Sequence, residues 1–232
     1  MNAISNRQLP LIGIVGGIGS GKSSVARHVA DRFPIRVLDA DSAGHAVLEE
    51  DVVKTQIRNQ FGDEVFNESG AVDRKILGRR VFGDSPACRE QLDQLERIVH
   101  PRIRKRLLAQ IKTIRDNEPN VQAIVLDAPI LFETGWHELC DAVVFIDVPH
   151  DIRQQRLQTG RGWSQDELIR REANQLPLEE KQTRSDWTIR NTGELEDSAR
   201  QFAEFWNTRF SSPLRSAFHD DTVLEETQPY VE

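Results

Sequence analysis

Cysteine is nearly absent from this chain: only Cys88 and Cys140 stand among 232 residues. They lie far apart and form no CxxC pair, and with six scattered histidines they give no zinc-ligand spacing. One disulfide is chemically possible, but the expectation is two reduced thiols in a cytoplasmic protein. Long apolar runs are absent as well. Leu11–Val15 and Ala142–Val148 have the length of strands, far short of the roughly 18 residues of a membrane span. Met1–Gln8 carries one basic side chain and leads into a Gly-rich segment instead of a cleavage site, so no secretory signal is expected. Excess positive charge is lacking: 30 Lys and Arg against 37 Asp and Glu leave a net charge of −7. That sign argues against a nucleic-acid binder working by electrostatics. Repeats and low-complexity tracts are missing too. What is present, 38% hydrophobic and 29% charged residues, suffices for one substantial domain with room for an inserted subdomain.

The pattern along the chain is α/β. Leu11–Val15 stops at Gly16-Gly17 and reads as a buried parallel strand. Ser23–Phe33 reads as a helix, with Val25, Val29 and Phe33 at helical spacing and Pro34 ending it. Ile35–Leu38 is a second strand, ending at Asp39-Ala40-Asp41, so a βαβ unit is complete by Asp41. Ser42 to Asn117 is helical and charged, with a kink or break predicted at His100-Pro101. Strands resume at Ala123–Asp127 and Ala142–Asp147. Asp151–Gln158 and Gln165–Gln182 read as helices flanking the polar stretch Thr159–Ser164. Asp186–Arg190 is a short strand, and Glu194–Phe210 a last helix with Leu195, Ala199, Phe202, Phe205 and Trp206 on one side. The expected division is an N-terminal extension (1–10), a core (11–41, 121–150, 183–210), a helical insert (42–118), a lid (151–182) and a disordered acidic tail (211–232).

Gly16-Gly17-Ile18-Gly19-Ser20-Gly21-Lys22-Ser23 spells G-x-x-x-x-G-K-S, the P-loop, between a predicted strand and a predicted helix. Its glycines let backbone N–H groups wrap an anion, and the helix N-terminus adds a positive dipole end. Lys22 supplies a point charge for the β- and γ-phosphates, and the Ser23 hydroxyl can ligate Mg²⁺. Gly17, Ile18, Gly19, Ser20, Gly21, Lys22, Ser23 and Ser24 are therefore nucleotide-binding candidates. Asp39 and Asp41, at i and i+2, point the same way if the strand continues that far. One can act on an attacking hydroxyl, and the other can simply cap the following helix. Asp127 ends an apolar strand and is a candidate Mg²⁺ carboxylate, with Glu133 in the loop beyond it. Arg153, Arg156 and Arg161 flank the polar stretch of the lid. Arg161 and then Arg156 are the candidates for neutralising transferred phosphate. Arg97, His100, Arg102, Arg104, Lys105 and Arg106 make a basic cluster in an acidic chain, suited to a phosphorylated second substrate or to a solvated helix face. Asp41-Ser42-Ala43-Gly44 spells D-x-x-G, but it follows Lys22 too closely, and no N-K-x-D accompanies it, so a regulatory GTPase is not expected.

Together these segments resemble the dephospho-CoA kinase family. They are G-I-V-G-G-I-G-S-G-K-S-S at Gly13–Ser24, V-L-D-A-D at Val37–Asp41, V-H-P at Val99–Pro101 and L-D-A-P-I-L-F-E at Leu126–Glu133. L-P-L-E-E-K at Leu176–Lys181 and I-R-N-T-G at Ile189–Gly193 complete the set in the family's order. The resemblance implies a P-loop NTPase fold, a three-layer α/β/α arrangement around a parallel sheet, with an inserted helical substrate domain and a helical lid. It implies transfer of the ATP γ-phosphoryl to the ribose 3′-hydroxyl of dephospho-CoA, with Mg²⁺, and Asp41 as catalytic base. It places Asn191 near the adenine, and Asp39, His100, Arg102, Pro129 and Leu131 on the acceptor side. Gly160 stands where the family's second lid arginine is usual, and Arg161 follows one position later. ATP and dephospho-CoA are the expected partners of a monomer or weak homo-oligomer, with no nucleic acid and no membrane. The competing readings are another P-loop kinase of nucleotides or sugars and an ATP-binding switch that is not a kinase. ATP turnover without an acceptor separates them.

Overall fold

A computed structural model describes residues 9–83 and 85–216. Most of the expected tail lies outside the described residues. Strand β1 (Leu11–Gly16) is buried along its whole length. It lies at the centre of a five-stranded sheet with β2 (Ile35–Asp39), β3 (Ala123–Asp127), β4 (Ala142–Asp147) and β5 (Trp187–Arg190), in the order β2-β3-β1-β4-β5. Every pairing is parallel. The continuous apolar runs follow from this, because helices cover both faces of a parallel sheet.

Alternation along β1 feeds both faces. Ile12 and Ile14 join Val25 and Val29 of α1 (Lys22–Arg32) and Phe202, Phe205 and Trp206 of α9 (Leu195–Arg209). Leu11 and Val15 join the opposite cluster, which continues into the helices between β2 and β3. These are α2 (Ala40–Leu48), α3 (Asp51–Phe61), α4 (Arg74–Val81) and α5 (Pro86–Asn117). Three layers result, helix–sheet–helix, as expected.

Three local expectations need correction. The break at Pro101 is absent: α5 runs through it for 32 residues. Proline leaves the Arg97 carbonyl without its usual amide donor, but the helix is held on both sides of the gap. Ile103, Leu107, Ile111 and Ile114 are buried below it, and Leu92, Leu95, Ile98 and Val99 pack on the same cluster above it. Second, Thr159, Gly160 and Arg161 are the last turn of α6 (His150–Arg161), not part of a loop. The helix runs on to Gly162, whose left-handed φ of +66° ends it, so the connection shrinks to Gly162–Ser164. Third, Gln165–Gln182 is two helices, α7 (Gln165–Glu172) and α8 (Leu178–Thr183), separated ahead of Pro177, where proline disfavours helix at the residue before it.

Residues 211–216, read from the sequence as the start of a tail, are held to the body. Trp206 Nε1 donates to the Ser212 carbonyl at 2.6 Å, and the Gln122 side chain bonds the Pro213 carbonyl at 3.2 Å and the Arg215 amide at 2.7 Å. Among the described residues no helix is long and apolar enough to cross a membrane.

Candidate active site

The turn from β1 into α1 is the phosphate loop, at the carboxyl edge of the sheet where ligands of open α/β folds bind. Gly21 precedes α1 with a left-handed φ of +77°, and a Cβ there would lie 2.7 Å from Asn191 Nδ2. No side chain caps α1, which leaves first-turn N–H groups for an anion. Lys22 is buried, and its Nζ donates to the carbonyls of Gly16 at 3.1 Å and Gly17 at 3.0 Å. Burial pushes this ammonium down to about 8, against the pull of Asp127 and Asp41.

The loop is braced from behind. Asn191 Nδ2 donates to the Ser20 carbonyl at 2.8 Å, and Ser198 Oγ donates to Asn191 Oδ1 at 3.3 Å. Arg156 reaches the same Ser20 carbonyl at 3.4 Å and the Asn191 carbonyl at 2.9 Å. Arg153 is buried and donates to the carbonyls of Ile18 at 3.0 Å and Val148 at 3.2 Å, with Glu172 as its ion-pair partner. These groups therefore shape the loop in which phosphates would sit. Arg161, in contrast, is exposed at the end of α6.

Three carboxylates gather at this edge of the sheet, two of them, Asp127 and Asp41, within the field of Lys22. Asp39 and Asp127 are register partners across β2 and β3. The strand does not continue to Asp41, so Asp39 and Asp41 do not project as a strand pair. Instead Asp39 caps α2: one carboxylate oxygen accepts from the Asp41 amide at 2.9 Å and the Ser42 amide at 3.2 Å, the other from the Ser42 hydroxyl at 2.7 Å. Asp41 sits in the first turn of α2, open to solvent at the site's mouth. Although its side chain meets solvent, partial desolvation against the neighbouring protein raises its carboxyl above the usual range. The Asp39 charge adds to this, while His45, Lys22 and Arg161 oppose it. Asp127 is raised by burial and held back by a hydrogen bond from Ser23. Its Oδ1 is buried with no partner.

That orphaned oxygen beside the Ser23 hydroxyl is the donor set a hard divalent cation takes from a P-loop protein, with phosphates supplying much of the remainder. Ser23 and Asp127 therefore fit Mg²⁺. No cluster of three or more His, Cys, Asp or Glu able to hold a metal by itself occurs among the described residues.

Of the residues expected on the acceptor side, His100 of α5 meets the Trp136 ring edge-on, with centroids 6.1 Å apart, and burial lowers its pKa. Arg102 pairs with Glu50 at 3.7 Å. Leu131 is fully buried, and a Cβ on Gly13 of β1 would meet it at 2.5 Å, so Leu131 fixes the 128–135 loop onto the sheet. The carbonyl of its neighbour Pro129 accepts from Lys181 Nζ at 2.9 Å.

A scan against protein families matches residues 10–197 to dephospho-CoA kinase. The chain belongs to the dephospho-CoA kinase family. The dephospho-CoA kinase of Dehalococcoides mccartyi is 34% identical over 189 residues, covering 82% of this chain and 92% of that protein. That of Rhodopirellula baltica is 38% identical over 192 residues, covering 82% and 87%. Among solved structures, TT1252 from Thermus thermophilus superposes with a TM-score of 0.72 at 33% identity, over 86% of this chain and 97% of that one. The dephospho-CoA kinase from Campylobacter jejuni shares the fold, with a TM-score of 0.54 at 21% identity over 88% and 98%. The chain is thus an ATP-dependent kinase.

Two features of this kinase were not read as such from the sequence. Lys181, quoted above only as the end of a motif, is fully buried; its Nζ donates to Pro129 O at 2.9 Å and Gln175 Oε1 at 3.0 Å and pairs with Glu133 Oε1 at 2.8 Å. Arg153 is a buried strut, not a lid arginine facing solvent. Helical spacing alone assigns both to charged surfaces. The only hint was the apolar Leu176-Pro177-Leu178 just before Lys181.

Proposed function

We propose that this chain transfers the γ-phosphoryl group of Mg·ATP to the 3′-hydroxyl of dephospho-CoA, giving CoA and ADP. The observation that carries the reading is the placing of Asp41 beside the phosphate loop, within the field of Lys22 and Arg161, in a chain matching the family over residues 10–197. Lys22 and the amides from Gly17 to Ser24 hold the triphosphate. Asp39 fixes the first turn of α2 and so orients Asp41. The raised pKa of Asp41 makes it a stronger base than an ordinary carboxylate, suited to take the proton of the attacking hydroxyl at its carboxylate oxygen. Ser23 and Asp127 would hold Mg²⁺, which when bound neutralises charge on the β- and γ-phosphates. Arg161, with Arg156 behind it, neutralises the transferring group from the lid, and closure of the lid excludes water. Asn191 borders the nucleotide through the loop it braces. His100, Arg102, Pro129 and the Leu131 loop face the acceptor. Catalysis is positioning and charge neutralisation without a covalent intermediate. The two free cysteines suit a cytoplasmic enzyme, acting as a monomer or weak homo-oligomer.

The test is ADP release from Mg·ATP with dephospho-CoA, AMP, CMP, adenosine or no acceptor. Turnover with dephospho-CoA alone, and a product phosphorylated at the 3′ position, is expected. The same slow rate whatever the acceptor would overturn the reading in favour of an ATP-binding switch. Asp41→Asn should keep ATP binding and lower turnover by at least about 100-fold. Near-normal turnover would remove Asp41 from the mechanism.

A further inference from the structure

Trp163 is a large aromatic residue in a three-residue connection, Gly162–Ser164, between α6 and α7, and it belongs to neither hydrophobic cluster. Its ring is half-buried, and guanidinium groups cover it. Arg161 Cζ lies 5.1 Å from its centroid and Arg171 Cζ 4.1 Å. The two arginines differ. Arg171 is also tied to Glu167 at 2.6 Å. Among the described residues Arg161 makes no ion pair, and what its guanidinium rests on is the Trp163 ring.

The backbone explains how residues two apart come to stack. Gly162, left-handed at φ +66°, donates its N–H to the Gln158 carbonyl at 3.0 Å and turns the chain back over the last turn of α6. The Trp163 amide then follows to the Leu157 carbonyl at 3.4 Å. A non-glycine residue at 162 would resist this turn. One residue before Arg161, Gly160 offers no side chain, and a Cβ there would meet nothing within 4 Å. The chain therefore presents a single cation at this end of α6, on a long flexible stem. That cation is close enough to the catalytic edge for its charge to act on Asp41.

We infer that Trp163 is a positioning residue for phosphoryl transfer: the face of its indole ring holds the Arg161 guanidinium at the mouth of the site. An aromatic face attracts a guanidinium through its quadrupole and restricts its rotamers while leaving its N–H edge free to bond phosphate oxygens. The inference rests on the reading of Arg161 as the lid arginine.

Steady-state kinetics on four variants of the full chain test it. Trp163→Leu keeps apolar bulk but removes the π face, and it should lower kcat roughly three- to ten-fold with KM for dephospho-CoA little changed. Trp163→Phe should recover most of that loss. Arg161→Ala should lower kcat further, and the double variant Arg161→Ala, Trp163→Leu should be no slower than Arg161→Ala alone, because the ring acts through the arginine. Full activity in Arg161→Ala would overturn the lid-arginine reading and the inference with it. Loss in Arg161→Ala with full activity in Trp163→Leu would overturn the inference alone. So would additive losses in the double variant, or failure of Trp163→Phe to recover activity when its melting temperature matches that of the native chain.

Discussion

Lys22 rests on the carbonyls of its own loop, with a pKa of about 8 where an ordinary lysine has 10.5. Two pH effects follow. Below about pH 8 the ammonium is already present in the empty kinase, and ATP meets it charged. Above that value the empty kinase holds a neutral amine, and ATP binding must bring a proton with it. ATP affinity should therefore fall up to about ten-fold per pH unit above 8, with uptake of about one proton. Calorimetry at pH 9 in buffers of different ionisation enthalpy reads this directly, and the absence of proton uptake would contradict the buried state of Lys22. The shift also makes the fold gain stability as pH rises from about 8 towards 10.5, because there the unfolded chain binds the extra proton. At this scale the sequence was legible where residue type and spacing define chemistry, as in the phosphate loop. It was ambiguous where one residue type serves two ends. Asp39 and Asp41 are two residues apart, and only the switch from strand to helix at Ala40 makes the first a cap and leaves the second open.

At the scale of elements, strands were the most legible because the parallel sheet demands continuous apolar runs; β3 and β4 have the bounds the sequence indicated. Helix ends were less so. Pro101 looked like a break, but packing on both sides holds α5 together. Pro101→Ala should therefore restore a donor to the Arg97 carbonyl at an exposed position and raise stability by about 1–3 kcal/mol, seen as a higher melting temperature. An unchanged or lower melting temperature would mean that α5 needs the proline's local geometry. The lid region was misread in the opposite sense. A polar stretch looked like a loop, yet Thr159 to Arg161 are helical: α6 runs through Gly160, and the left-handed stop falls at Gly162.

On the scale of the whole molecule, the least legible feature is the buried ion pair. Lys181 of α8 ties Glu133 and the Pro129 carbonyl, and so fastens the end of the lid region to the loop after β3. Charge periodicity cannot separate such a lysine from a solvated one. Lys181→Met should leave the Glu133 carboxylate, the Gln175 oxygen and the Pro129 carbonyl without this donor. The expected loss is about 3–5 kcal/mol, visible as a lower urea midpoint. An unchanged midpoint would show that water enters to replace the ammonium. Long-range ties of this kind also bear on biosynthesis. β1 is made first but pairs with β3 and β4, so it has no strand neighbour until residue 127 has been made and lacks its second until residue 147. The Ser20 carbonyl then waits for Arg156 and finally for Asn191. A chain emerging from the ribosome thus carries its phosphate loop from the outset but cannot set it until some 170 residues later. Nucleotide should therefore become a ligand only after the segment through Asn191 has been made.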